Sequence, residues 1–288
     1  MPREETAETL HKERFANALR KLLHSRKALA VPVTYLILFV SLMAIVSATY
    51  SLAVVKIGAR GAMLKASVAK QNMQTLDDAI HSVAWSYGAS QVVYMDDCGG
   101  DFQTSPTTRN LVLNFTDEQS FLSIVFNSSI GEAFYELEPS ELGYYGLFVR
   151  GDERAIINQS ASTMTQVYIA TGSQKQKMSL SYRPSATSVV TRTSNGKPLN
   201  LIRVNIISLN SSPSETLGGK FYLKVTASDI ATASTLYEFN QSVSSLAMKA
   251  TLGDTQTTVW LPISSNAQGA VVGLEIVVSS VEVREAEV

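Results

Sequence analysis

Cysteine is nearly absent from this chain, which has Cys98 alone among 288 residues. Because one thiol cannot form an internal disulfide, the chain is not a small secreted scaffold built on disulfides. Stability must come from packing, and this length is enough for one large domain or two ordinary ones. We expect Cys98 to be a packed thiol without a chemical role.

Histidine is scarce as well. The three histidines, His11, His24 and His81, all precede residue 88, so residues 89–288 have none for general-base or metal chemistry. No Gly-rich phosphate loop, HExxH motif or paired CxxC motif occurs in the sequence. We therefore expect a non-enzymatic protein without a cofactor. A membrane-tethered enzyme would need a convergent polar pocket that the sequence does not reveal.

Net charge is also low, at −1, and a nucleic-acid partner is not expected. The charges are unevenly distributed: residues 1–28 carry seven Lys/Arg and four Glu, whereas residues 29–288 carry seventeen basic and twenty-one acidic residues. A basic excess just before an apolar stretch is typical of the cytoplasmic side of a membrane helix. Lys56, Arg60, Lys65 and Lys70 follow the same stretch, so charge alone favours this orientation without fixing it.

An uncharged stretch of 27 residues runs from Leu29 through Phe39 to Val55. About 20 apolar residues in a helix cross a hydrocarbon core of about 30 Å, so residues 29–55 are predicted to span a membrane. Pro32 is expected to mark the helix start, because a missing N–H costs nothing in the first turn. Four hydroxyl side chains are expected to bond to the preceding helical turn, namely those of Ser41, Ser47, Thr49 and Ser51.

Apolar residues continue at three- and four-residue steps as far as Tyr87. This spacing predicts that an amphipathic helix continues over residues 56–88. Gly58 and Gly61 weaken the helix where it leaves the membrane, and we expect a kink or hinge there. His81 is expected at the surface, paired with Asp77 four residues earlier.

From residue 89 the pattern changes to short β-type runs separated by Gly, Pro, Asn and Ser. These runs predict strands at Leu111–Phe115, Phe121–Phe126, Ala133–Leu137, Tyr144–Arg150, Gln166–Thr171, Met178–Arg183, Ser188–Thr193, Leu201–Leu209, Phe221–Thr226, Thr257–Pro262 and Val271–Val283. One short helix is predicted around Ser234–Leu246. The fold class is α+β: a long N-terminal helix, then a mainly antiparallel β region over 89–288, sandwich-like or as two packed sheets. Two subdomains, near 89–193 and 199–288, are an open alternative to one.

Five Asn-x-Ser/Thr sequons follow the apolar stretch and none precedes it; they begin at Asn114, Asn127, Asn158, Asn210 and Asn240. The sequon is an acceptor for N-glycosylation in exported chains, although so short a motif also arises by chance. Together with the basic N-terminal flank, the sequons predict a single-pass membrane protein with a cytoplasmic N-terminus and an extracellular C-terminal bulk.

The segment Arg26-Lys27-Ala28, followed by Leu29-Ala30-Val31-Pro32-Val33 and an unbroken apolar helix, resembles the N-terminus of archaeal type IV pilin-like proteins with a class III signal peptide. Val33 stands where many bacterial pilins have Glu. The resemblance implies that a prepilin peptidase cuts between Ala28 and Leu29 and removes the basic leader, residues 1–28. It also implies a β-rich head and sister subunits that pack their helices into a filament core.

Two functions are consistent with these features. The first is a pilin-like surface subunit, structural or adhesive, with membrane lipid and sister subunits as partners. The alternative is an uncleaved single-pass envelope protein whose β-sandwich head binds a surface-layer or neighbouring protein. The state of the N-terminus distinguishes the two.

Two short patterns imitate metal sites. Tyr94-Met95-Asp96-Asp97 is spelled like the active-site tetrapeptide of reverse transcriptases, but the chain has neither a palm domain nor a basic nucleic-acid channel. The stretch from Asp96 to Asp101 could offer oxygen ligands to Ca²⁺, yet it does not match the spacing of an EF-hand loop. We expect it to be a solvated loop joining the helix to the first sheet.

Overall fold

A computed structural model of the protein describes residues 5–117, 119, 121–138, 146–158, 163–171, 175–194, 196–210 and 216–286. Two compact units divide the chain, Met1–Gly58 and Ala59–Val288. The first is helical, and the second combines the end of the same helix with β sheets. The predicted α+β class, with a long apolar N-terminal helix before a mainly antiparallel β region, is confirmed.

Helix α1 runs from Glu5 to Val83. The prediction that Pro32 starts it is wrong, because Pro32 lies inside the helix. Residues 5–28 are rich in Glu, Lys, Arg, Leu and Ala, which are strong helix formers, and their preference outweighs the lost N–H and the steric conflict of one proline. Gly58 and Gly61 also lie inside α1.

The helix ends at Val83, five residues before residue 88, where the sequence analysis placed its end. The chain then turns through Gly88, which has a φ of 75°. Glycine adopts this left-handed conformation without steric cost. The N–H of Gly88 donates to the carbonyl of Ala227 at 2.9 Å, so the turn delivers the chain to the edge of a sheet.

Fifteen strands follow among the described residues. They are β1 Ser90–Met95, β2 Asp101–Ser105, β3 Asn110–Thr116, β4 Leu122–Ser129, β5 Glu132–Leu137, β6 Leu147–Arg150, β7 Ile157–Asn158, β8 Thr165–Thr171, β9 Gln176–Tyr182, β10 Ser185–Ser194, β11 Lys197–Leu209, β12 Phe221–Phe239, β13 Ser245–Leu252, β14 Thr255–Pro262 and β15 Ala270–Glu285.

The described strands form three sheets. The six-stranded sheet has the order β1-β12-β15-β11-β10-β7, the four-stranded sheet β14-β13-β3-β4, and the five-stranded sheet β2-β5-β9-β8-β6. Strands β11 and β15, and strands β10 and β7, pair in parallel, whereas the other paired strands are antiparallel. The six-stranded sheet draws strands from both predicted subdomain ranges. The finer prediction of a sandwich stays a prediction.

All eleven predicted strands overlap an observed strand, although Tyr144 and Tyr145 lie outside the described residues. The sequence analysis missed β1, β2, β7 and β13. The predicted helix at Ser234–Leu246 is wrong: the end of β12 and the start of β13 occupy this segment. Pairing of Ser234–Phe239 with β15, and of β13 with β14 and β3, outweighs the weak helical pattern.

Two hydrophobic cores lie within the unit Ala59–Val288. In the first, one face of α1 packs with residues of the five-stranded sheet, of β1, and of the neighbouring parts of β12 and β15. The second lies between the four-stranded sheet and the rest of the six-stranded sheet. Strands β11, β12 and β15 are long enough to contribute to both, so they join the two cores into one unit.

Candidate functional site: helix α1 and its anchorage in the β sheets

The apolar stretch of α1 is uncovered around its whole circumference. Large apolar side chains at successive positions from Val31 to Ile57 are each about half exposed or more, which no single buried face could produce. Among the described residues, α1 is the one helix long and apolar enough to cross a membrane, and the rest of the described structure does not bury its most apolar part. Leu36, Phe39 and Val55 belong to this surface.

Polar groups within the stretch are satisfied by the helix itself. The hydroxyl of Thr49 donates to the carbonyl of Ile45 at 2.8 Å, and the hydroxyl of Ser41 donates to that of Ile37. The predicted bonding to the preceding turn is confirmed for these two side chains. They can therefore sit in an apolar environment without an unpaired donor.

The last turns of α1 have the opposite character, because one face is fully buried. Ala69, Met73, Leu76, Ala79 and Ile80 recur at three- and four-residue steps and join the first core. This confirms that the amphipathic pattern continues beyond the apolar stretch. One helix thus carries a bare apolar surface in one part and supplies a core element in another.

Asn72 fixes this part of the helix to the loop after β1. Its Nδ2 donates to the carbonyl of Asp96 at 2.8 Å and to the hydroxyl of Tyr135 at 3.1 Å, while its Oδ1 accepts from the N–H of Asp96 at 3.1 Å. The side-chain amide of Asn72 thus bonds to both backbone groups of Asp96. Because this amide is buried, the two bonds fix the position of the helix along the loop.

Asp77 forms a second, charged attachment, and its side chain is fully buried. Its Oδ1 accepts from the hydroxyl of Thr165 in β8 and from that of Tyr182 in β9, both at 2.8 Å. Its Oδ2 accepts from Nη1 of Arg150 in β6. A buried carboxylate is tolerated only when its lone pairs and charge are matched, so this cluster ties α1 to three strands of one sheet.

His81 completes the cluster. Its Nε2 lies 3.4 Å from Oδ1 of Asp77, as the predicted pair requires, and 2.9 Å from Oγ1 of Thr165. Its ring meets the ring of Tyr182 edge to face at 5.6 Å. His81 is therefore half-buried rather than a free surface residue. Burial, followed by the charge of Asp77, raises the pKa of Tyr182 well above its usual value, which keeps the hydroxyl protonated as a donor.

The predicted processing site lies within the helix. Arg26, Lys27, Ala28 and Leu29 are all part of α1, so the backbone is helical across the Ala28–Leu29 bond. Of the other residues predicted for the membrane helix, Pro32 and Phe39 lie on the exposed stretch, as does Val55.

Four of the five sequon asparagines are exposed: Asn127 in β4, Asn158 in β7, Asn210 after β11 and Asn240 after β12. Asn114 differs, because it lies in β3 between two neighbouring strands and its Oδ1 is buried without a hydrogen-bond partner. Asn114 is therefore less accessible to glycosylation than the other four asparagines.

Residues 96–100 of the acidic stretch join β1 to β2, and Asp101 begins β2. The prediction that the stretch joins the helix to a sheet is wrong, because the sequence analysis missed strand β1. Cys98 is 2% exposed within the first core, which confirms a packed thiol, and burial raises its pKa. Over the described residues, no group of three or more His, Cys, Asp or Glu side chains is arranged to hold a metal ion.

Several residues that attach α1 to the five-stranded sheet were not predicted from the sequence. The sequence signalled the Asp77–His81 pair through its four-residue spacing, but Arg150, Thr165 and Tyr182 are 73, 88 and 105 residues from Asp77 along the chain. No local pattern connects residues so far apart. Only the order of the strands in the five-stranded sheet brings them together.

Comparison with known proteins adds no relative to these observations. No family model matches the chain, no curated protein is significantly similar to it, and no solved structure is significantly similar to its fold.

Proposed function

We propose that this chain is a non-enzymatic, pilin-like cell-surface subunit, structural or adhesive, that is anchored or assembled through helix α1. The observation that carries the proposal is the bare apolar surface of Val31–Ile57, on a helix whose last turns are part of the β-region core. The described residues do not cover this surface, so it needs contact with another apolar environment. The β-rich region is then the part displayed outside the cell.

Lipid and sister helices are the two environments that could bury the apolar surface of α1. The uncharged stretch 29–55 would rise about 40 Å as a helix, more than the roughly 30 Å of a bilayer core. A helix that is apolar on all sides can sit in lipid and later pack against copies of itself, since neither environment asks for a polar face. Small residues such as Ala44, Ala48 and Ala53 allow close helix approach.

The anchorage of α1 suits a subunit that bears load. Its last turns are core, and Asn72 and Asp77 bond to the sheets through buried polar contacts. The β region cannot separate from this part of the helix without exposing apolar surface and leaving a buried carboxylate unpaired. A structural or adhesive surface protein needs this property, since force on the head must reach the anchor.

The basic excess in residues 1–28 and the four exposed sequon asparagines support an extracellular β region. The partners of the proposed subunit are membrane lipid, sister subunits in a filament and a prepilin peptidase. The peptidase would recognise Arg26-Lys27-Ala28 and leave Leu29 as the first mature residue.

Co-expression with a prepilin peptidase, followed by mass spectrometry of the N-terminal peptide, tests the proposal. The expected product begins at Leu29 and has lost 28 residues of the 288. Ala28→Trp should block the cut, because a bulky side chain replaces the small one beside the cleaved bond, whereas the control Ala16→Trp, within the leader, should be processed normally. An intact leader in the wild-type protein would refute the pilin-like form of the proposal.

A second candidate is supported by the helical backbone across Ala28–Leu29. Peptide bonds in a regular helix are poor protease substrates unless the helix opens locally. This observation favours an uncleaved single-pass envelope protein whose head binds a surface-layer or neighbouring protein. In the same experiment, this candidate predicts a chain that still begins at Met1 or Pro2.

A further inference from the structure

A cleft of about 580 Å³ lies on the β region, and residues of the strands and their connecting turns line it. The turn between β2 and β3, strands β6 and β8, and the hairpin of β13 and β14 form its walls. Its volume falls within the range typical of sites for small ligands. The side chains that matter for its chemistry are Arg109, Phe148, Glu153, Gln166, Tyr168 and Asp254.

Arg109 holds an unusual backbone conformation at the floor of this cleft. Its φ is 61°, and it is the one residue other than glycine with a positive φ in the part of the chain that the structure describes. Its carbonyl accepts from the N–H of Ile130 at 3.2 Å, which fixes the conformation. Glycine would adopt this φ without strain, so an arginine here indicates that the side chain is needed.

The guanidinium of Arg109 has few partners. Nη2 donates to Oε1 of Gln166 at 2.7 Å, whereas Nε is buried and bonds to no described residue. A guanidinium has five N–H donors, and the described residues accept from one of them, on Nη2. Burial lowers the pKa of Arg109, because the charged form has lost water, and the charge of Glu132 opposes this shift only in part. A ligand with hydroxyl or carbonyl oxygens in the cleft would supply acceptors.

Gln166 is fixed beneath the arginine. Its Nε2 donates to the carbonyls of Asp152 at 2.7 Å and Arg154 at 3.2 Å, so its Oε1 must point towards Arg109. The same two carbonyls accept from Nη1 of the buried Arg183, at 3.3 and 3.2 Å. The floor of the cleft is thus pre-organised by a buried network, as binding sites require.

The remaining walls offer aromatic surface and acceptors. The rings of Phe148 and Tyr168 lie 4.9 Å apart at 50°, and Glu153 and Asp254 also line this space. The lining carries one positive charge, on Arg109, and two negative charges, on Glu153 and Asp254, so it disfavours an anionic ligand. The lining of the cleft offers hydrogen-bond donors, acceptors and aromatic rings. A neutral ring compound with several hydroxyl groups and one apolar face would match this lining, because each hydroxyl can both donate and accept.

We propose that this cleft binds a neutral saccharide unit. The inference deepens the adhesive form of the proposed function, on which its biological setting rests, and it identifies the surface that would make contact with a glycan. Arg109 would donate to sugar hydroxyls, Glu153 and Asp254 would accept from them, and Phe148 or Tyr168 would pack against the apolar face of the ring.

The test uses the full chain in phosphatidylcholine nanodiscs, because detergents with sugar headgroups would compete. Saturation-transfer NMR is recorded with the methyl glycosides of glucose, galactose, mannose and N-acetylglucosamine, and with methyl glucuronide as an anionic probe. At least one neutral glycoside should bind. Arg109→Gly should weaken its binding by about tenfold or more, as expected for a lost charged hydrogen bond.

Glycine tolerates the φ of 61°, so Arg109→Gly adds no backbone strain, although it leaves Oε1 of the buried Gln166 without this donor. Circular dichroism verifies that the variant is still folded at the temperature of the binding measurement. Arg203→Ala, which removes an exposed arginine from β11, should leave binding unchanged. Binding of the glucuronide alone, binding of no glycoside, or unchanged binding by Arg109→Gly would each overturn the proposal. None of these results alters the N-terminal mass, so the proposed function is judged separately.

Discussion

The carboxylate of Asp77 accepts from side chains of β6, β8 and β9 while fully buried. Asp77→Ala removes the common acceptor, and the hydroxyls of Thr165 and Tyr182 and the charge of Arg150 lose their partner. We expect a loss of about 2–4 kcal/mol in the free energy of unfolding, below the full cost of breaking a buried ion pair because Arg150 keeps contact with solvent. Urea unfolding followed by circular dichroism measures this loss.

Asp78 provides the matched control, one residue along the same helix. Its side chain is 76% exposed and lies 3.7 Å from Arg150. Asp78→Ala should change the free energy of unfolding by no more than about 0.5 kcal/mol, because an exposed ion pair contributes little. Equal effects of the two substitutions would show that the buried cluster does not hold the helix to the sheet.

At the scale of elements, helix α1 has exposed apolar side chains in one part and a buried face in its last turns. Two leucines test this difference. Leu76 is fully buried in the first core, whereas Leu64, on the same helix, is 69% exposed. Leu76→Ala should lower the free energy of unfolding by about 2–5 kcal/mol through lost burial and the cavity left behind. Leu64→Ala should stay within about 0.5 kcal/mol in the same urea titration. A larger effect at Leu64 would contradict this assignment of the buried face.

The elements that could be predicted from sequence are those with a strong local pattern. The uncharged stretch 29–55 is helical, and the predicted strand Val271–Val283 lies within β15. Strand β13 was missed because Leu246, Ala247 and Met248 are adjacent apolar residues that favour helix as readily as strand, and pairing with β3 and β14 decides. The prediction for Pro32 was wrong because it used only the preference of proline for the first helical turn and ignored the strong helix formers that precede Pro32.

The residues of the candidate sites were harder to predict than the elements. The four-residue spacing of Asp77 and His81 was visible in the sequence, but their partners depend on strand order. Arg109 carries no local signal, since its positive φ is imposed by contacts of the β2–β3 turn with Ile130. Long-range pairing therefore limits what one sequence can reveal about a site in a β-rich protein.

At the scale of the whole molecule, the proposed orientation can be tested with single cysteines, because the chain has one cysteine and it is buried. Ser234 is exposed in β12, and Ala16 is exposed in α1 before the apolar stretch. In intact cells, a membrane-impermeant maleimide should label Ser234→Cys but neither the wild type nor Ala16→Cys. After permeabilisation, Ala16→Cys should become reactive if the leader is retained, and the wild type should stay unlabelled because Cys98 is packed.

Labelling of Ala16→Cys in intact cells, with Ser234→Cys protected, would mean that the β region is cytoplasmic. That outcome would remove both proposed surface functions together, since a filament subunit and an envelope-binding protein each need the head outside. Protection of Ser234→Cys could also arise from a covering partner, and Ser244→Cys, at another exposed position between β12 and β13, excludes this. The native thiol, that of Cys98, is buried and does not compete with the introduced cysteines for the maleimide. The labelling therefore reports the side of the membrane on which each introduced cysteine lies.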